Sequence, residues 1–256
     1  MTALAPAAHP GAVRRAPYTA AVLVVAGAAW LYVVLRLRGM SGMPGAMGLG
    51  LPAFVVVWAV MMSAMMLPSA APLAAMYART LRAHRQARMA VFVTGYVAVW
   101  AAAGVPAYGL ALVAGEVAGK TPAAGTISAS VLFGVNGVYQ LSPWKGRCLA
   151  RCRLPLALLL RYASWHGPLR DLRAAAHHGL SCLGCCWTLM ALMAAFGLMN
   201  LWAMVGLATA VGLEKLLPSG QRVARMFGVA SLVLAVAVFW APWLVPGLHA
   251  PTGGMG

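Results

Sequence analysis

The chain has 256 residues, 62% of them hydrophobic and only 9% charged, against roughly 25% charged in a soluble domain. That deficit, with several apolar stretches of about 18–25 residues, excludes an ordinary soluble protein and points to a membrane protein with several spans. The formal net charge of +16 lies in short loops between apolar runs, so it reads as membrane topology and contact with anionic lipid, with no role for nucleic acid.

A bilayer core leaves open sheet edges unsatisfied, so the spans should be helices. The expected fold is all-α: a polytopic membrane helix bundle of about seven transmembrane helices. Residues 1–16 form a Pro- and Ala-rich lead ending at Arg14-Arg15 and Ala16. The first span covers about residues 18–35, followed by Arg36 and Arg38 where a signal peptide would carry a small-residue cleavage site, so it is kept as an anchor. Met40, Met43 and Met47 then stand in a Gly-rich segment, expected to be an exposed flexible loop on the outer face that collects metal. The second span, about residues 51–77, carries Met61, Met62, Met65 and Met66 on one arc and should break near Pro68 and Pro72. The third covers about 89–113 and the fourth about 127–141, where Asn136-Gly137 is a candidate break of the kind transporters use.

The longest connection, residues 142–179, contains an apolar stretch at 154–162 too short to span. It reads as an interfacial cytoplasmic helix, with Arg161, Arg170 and Arg173 facing lipid phosphates. The fifth span is about residues 180–199, the sixth 201–213 and the seventh 226–244, with a short tail at 251–256. Residues 17–250 read as a single transmembrane metal-binding domain. Of the nineteen Lys and Arg residues, all but Arg36, Arg38 and Lys120 fall on one face of this arrangement. The positive-inside rule then sets the amino terminus inside and the carboxyl terminus outside.

Five cysteines are an odd number in a chain that is no small secreted scaffold, which disfavours a disulfide framework and favours metal or redox use. Three of them, Cys182, Cys185 and Cys186, cluster where the charged connection, ending in His177-His178, meets the fifth span. The same span supplies Met190 and Met193. Thiol and thioether donors of this kind suit soft, monovalent metal, above all Cu(I). At 100° per residue, Cys182, Cys186, Met193 and Asn200 share one face of a continuous helix, and His178 joins them if the helix begins a turn earlier. Cys148 and Cys152 are four residues apart, one helical face, and their flanking arginines should depress the thiol pKa. Helical rise puts the thiols at the inner mouth, and the methionines of the second and fifth spans near mid-membrane. Glu214-Lys215 reads as a charge pair anchoring the sixth span. The competing account is that Cys and Met merely fill gaps between helices.

The chain resembles a bacterial family of predicted metal-binding integral membrane proteins (domain of unknown function 2182), sometimes labelled copper chaperone. The resemblance rests on Met61-Met62-Ser63-Ala64-Met65-Met66-Leu67-Pro68-Ser69-Ala70-Ala71-Pro72, on Gly95-Tyr96 with Trp100, and on Tyr139-Gln140-Leu141-Ser142-Pro143-Trp144-Lys145. It continues through Cys148-Leu149, Cys152-Arg153 and Pro155. Its most specific stretch is Gly179-Leu180-Ser181-Cys182-Leu183-Gly184-Cys185-Cys186-Trp187-Thr188-Leu189-Met190, with Gly197, Met199-Asn200 and Glu214-Lys215 beyond. It implies metal binding in a membrane setting.

The expected function is a non-enzymatic inner-membrane protein of bacteria that relays Cu(I) over Met and Cys, for transfer or delivery to a cuproenzyme or other copper-handling partner. No nucleotide-binding signature accompanies it. Two alternatives stand beside it: a membrane thiol–disulfide oxidoreductase using Cys182 and Cys185, or a carrier in which the sulfur is passive.

Overall fold

The computed structural model of the chain describes residues 16–37, 45–153 and 155–248. Among these residues the structure is helical, without strands. The helices are α1 Ala16–Leu37, α2 Leu51–Thr80, α3 Arg85–Ala118, α4 Pro122–Leu141, α5 Pro143–Arg153, α6 Pro155–Ala163, α7 Arg170–Ala191, α8 Met193–Phe196, α9 Leu201–Leu216 and α10 Gly220–Ala237. Two 3-10 turns, Pro242–Leu244 and Pro246–Leu248, follow. Among the described residues five segments are long and apolar enough to cross a membrane: Tyr18–Leu35, Leu51–Thr80, Arg85–Ala118, Arg170–Phe196 and Gly220–Ala237. The two other expected spans correspond to α4 and α9. At 16 residues, α9 reaches only about 24 Å, less than the roughly 30 Å of a hydrocarbon core.

Helix α7 occupies the centre, packed against α3, α4, α5 and α9. Helices α1, α2 and α3 follow one another side by side, and α4 and α10 form a closely packed pair. Gly137 permits that last approach: a Cβ there would lie 2.6 Å from the Leu232 side chain and 3.0 Å from the Gly228 carbonyl. Asn136, expected to mark a break, sits inside an unbroken helix, where its Nδ2 donates to Ser231 Oγ at 2.7 Å. Such an interhelical hydrogen bond satisfies the amide's donor side, which an apolar interior would otherwise penalise.

Pro68 and Pro72 likewise fail to break α2, which runs through both. Packing from neighbouring helices outweighs the loss of the two donors that would have reached the Ala64 and Pro68 carbonyls.

The connection at 142–179 is the largest departure from expectation. It contains α5, α6 and the first ten residues of α7. The apolar stretch at 154–162 does hold a helix, α6, with Leu158 and Leu159 buried and Leu156 and Leu160 exposed. Arg170 does not stand free at its end. It lies 3.6 Å from Asp171, which is held more closely by Arg88 at 2.7 Å and accepts a hydrogen bond from Tyr77. This clamp ties α2, α3 and α7 together and lets the helix begin at Arg170. The stripe expected from Cys182 to Asn200 is cut at the other end. There α7 stops at Ala191, Gly197 turns the chain with φ +92°, and Asn200 caps α9 by accepting from Trp202 N and Ala203 N.

Candidate metal centre

The three clustered thiols are fully buried in α7: Cys182, Cys185 and Cys186 are each at most 1% exposed. Counted from Arg170, where α7 starts, Cys182 is about 18 Å along the helix. The cluster therefore does not sit at the mouth of the segment. It lies under α5, on the face of α7 that meets α2 and α9.

Three helices bring sulfur to this place. Helix α5 delivers Cys152, whose Sγ donates to Cys185 Sγ at 3.8 Å. Helix α2 delivers Met66, whose Sδ accepts from Cys186 Sγ at 3.9 Å. Two thiolates on a tetrahedral ion at about 2.3 Å would stand about 3.8 Å apart, so the Cys152–Cys185 separation is a metal-spanning distance. Cys185 and Cys186 each donate back to the Cys182 carbonyl, at 3.2 and 2.9 Å. Cys148, one turn before Cys152, is half-buried and lies against Gly184, where a Cβ would meet its Sγ at 3.5 Å.

The flanking arginines do not lower the Cys152 thiol. Its hydrogen bond to Cys185 and its burial push its pKa well above the usual thiol range. The thiol points into the contact with Cys185, where burial favours the neutral form.

Cys182 has different company. Lys215 Nζ donates to its Sγ at 2.7 Å, and the Tyr96 hydroxyl lies 3.0 Å from the same atom. Ser69 Oγ accepts from Lys215 at 3.4 Å. Glu214 and Lys215 are thus not paired with each other. Consecutive helical residues point about 100° apart, and Glu214 turns to Lys145 of α5, at 2.6 Å, with Gln140 Nε2 at 2.8 Å on its other oxygen. Both members of that pair are 1% exposed. Lys145 also donates to the Cys185 carbonyl, which fixes α5, and with it Cys152, against the thiol-bearing turn of α7.

His178, one turn before Cys182, is 4% exposed and stacks on Tyr96 at 5.5 Å and Phe92 at 6.4 Å. Its Nδ1 has no hydrogen-bond partner, leaving a nitrogen donor in reserve on the cysteine face. His177 turns the other way, to the Tyr162 hydroxyl at 3.1 Å.

Of the methionines read from sequence, Met66 is brought to a thiol. Met61, Met62 and Met65 are buried elsewhere along α2, and Met193 is buried in α8. Met190 lines a cavity of about 520 Å³ with Trp58, Trp100 and Trp187. Met47 is not an exposed collector: it is 7% exposed in a turn with φ +58°. Met43, like Met40, lies outside the described residues. Among the described residues no three His, Cys, Asp or Glu side chains converge as a metal site. The assembled donors are instead a thiol pair with a thiol–thioether pair beside it.

Sequence reasoning missed Lys215 and Tyr96 as partners of Cys182, and Lys145 with Gln140 as partners of Glu214. A signal existed, since ionisable residues within apolar segments seldom lack a functional partner.

Membrane-length helices packed around a buried, carboxylate-poor thiol cluster define the class: a helical protein equipped with soft donors. Residues 55–238 match the family model of the PpoB2 copper chaperones, and the chain belongs to that family. No curated protein and no solved structure matches it significantly.

Proposed function

We propose that the chain is a multi-span protein of the bacterial inner membrane that binds Cu(I) on buried sulfur and delivers it to a cuproenzyme or another copper-handling protein. The observation that carries this is the meeting of Cys152 from α5, Cys185 and Cys186 from α7, and Met66 from α2 within 3.8–3.9 Å contacts. Three separate helices converge on sulfur, while the nearest carboxylate, Glu214, is consumed by Lys145 and Gln140. Packing alone would be served equally well by aliphatic side chains. Soft donors without carboxylate fit a soft, singly charged ion, and the family's copper label agrees with that chemistry.

In this reading Cys152 and Cys185 hold the ion, Cys186 and Met66 offer the adjoining pair, and His178 supplies a nitrogen in reserve. Half-buried Cys148 is the exchange point with the partner. The chain crosses the bilayer seven times with its amino terminus in the cytoplasm, so the exchange face is cytoplasmic.

Anaerobic titration of the purified full-length protein with Cu(I) tests the binding. About one to a few ions should be taken up into a sulfur-dominated shell seen by X-ray absorption. Failure to bind, or a shell of oxygen, would overturn the assignment. Orientation is checked in intact bacterial cells with a membrane-impermeant maleimide: Cys148 should stay unlabelled until the inner membrane is opened. Labelling in sealed cells would reverse the topology.

The 3.8 Å Cys152–Cys185 contact also supports a second reading, a thiol–disulfide oxidoreductase. That reading requires a Cys152–Cys185 disulfide to form and disappear during growth. Thiols that stay reduced in rapidly acid-quenched cells would rule it out.

A further inference from the structure

The proposed copper site has a neighbour that binding alone does not require. Half-buried Lys215 places its ammonium 2.7 Å from Cys182 Sγ. The fixed charges around the sulfur are Lys145, Glu214 and Lys215. The first two neutralise each other at 2.6 Å, which leaves the positive charge of Lys215 without a carboxylate partner. The chain's two other acids do not supply one. Asp171 is engaged by Arg88, three turns away along α7, and Glu116 is 20 residues beyond Tyr96 on α3, about 30 Å along the helix.

We propose that Lys215 is the specificity-determining residue of this site, keeping divalent ions out of a sulfur cluster that would otherwise accept them. The inference rests on the assignment of the cluster as a soft-metal site. Two effects act together. A positive charge with no carboxylate beside it repels a doubly charged ion about twice as strongly as a singly charged one. The same ammonium, with the Tyr96 hydroxyl at 3.0 Å, engages the Cys182 sulfur and withholds it from the metal. That removes one donor from a set that Zn(II) or Cd(II) would need in fourfold, tetrahedral form. The thiol pair that remains, Cys152 with Cys185, suffices for an ion content with few soft ligands.

Competition between Ag(I), a monovalent probe, and Cd(II), a thiophilic divalent probe, tests this on the full-length protein in detergent. Wild type should take Ag(I) and reject Cd(II). Lys215→Met should shift the preference toward Cd(II) by about tenfold or more, whereas Lys215→Arg, which keeps the charge, should stay near wild type. Ser69→Asp reaches the same end with Lys215 intact. Ser69 Oγ is 3.4 Å from the ammonium, so a carboxylate there would neutralise it, and this variant stands in if Lys215→Met fails to fold. An unchanged Ag(I)/Cd(II) preference in folded Lys215→Met or Ser69→Asp protein would overturn the role of Lys215 while leaving the copper site standing. Wild type that binds neither ion would overturn the site itself.

Discussion

Replacing Glu214 with leucine is expected to destabilise the protein by about 3–5 kcal/mol, the cost of leaving one member of a buried ion pair without its partner. Lys145 and Glu214 are both 1% exposed and 2.6 Å apart. Removing either charge from water costs several kcal/mol, offset by their mutual attraction and by the further hydrogen bonds to Gln140 and the Cys185 carbonyl. With Glu214 gone, the ammonium faces an apolar interior with one carbonyl for company. The measurement is thermal unfolding in detergent, where the variant should melt well below wild type. The double variant Lys145→Met/Glu214→Leu removes both charges and should recover most of the loss. A single variant as stable as wild type would mean that water reaches this pair and that α5 is not locked to α7 through it.

Substituting Cys185 with serine should lower Cu(I) affinity by more than about a hundredfold, since changing a residue that merely orients a ligand already costs 10–100-fold. Cys185 is the hub of the cluster. Its sulfur receives the Cys152 thiol at 3.8 Å, so its loss breaks the thiol pair itself. The change is nearly isosteric, and the carbonyl that receives Lys145 is backbone, so the fold should survive. Competition against a Cu(I) chelator in anaerobic buffer reads the affinity. Cys148→Ser is the informative companion: it should leave equilibrium affinity nearly unchanged while slowing exchange with external chelators. Equal losses in both variants would make Cys148 a ligand beside Cys185 and overturn its role as the exchange point.

Both predictions depend on contacts that no local pattern announces. The Cys182–Cys186 cluster was legible because three thiols in five residues of an apolar run stand out against any packing background. Met66 was legible only as one of four methionines on an arc, and which of the four meets a thiol depends on the rotation of α2 against α7. The start of the thiol-bearing helix was misjudged for a specific reason. The polar residues Arg170, Asp171, His177 and His178 look like a loop, yet Asp171 is paired with Arg88 and Tyr77, and His178 is stacked on aromatic rings. Tertiary partners satisfied these groups, so the helix extends back to Arg170 and Cys182 stands about three turns along it. Met66 of α2 meets Cys186 there.

The amino-acid sequence by itself determined the helical class, the membrane-length apolar segments and the soft-donor chemistry. Each of these follows from composition or from short-range spacing, which survive without knowledge of neighbours. The tertiary structure alone decided which sulfurs meet, that Glu214 turns to Lys145 while Lys215 turns to Cys182, and that Pro68, Pro72 and Asn136 leave their helices intact. These outcomes depend on residues 33 to 120 positions apart in the chain. Burial in a shared interior, where every polar group must find a partner, selects among pairings that the linear sequence leaves open.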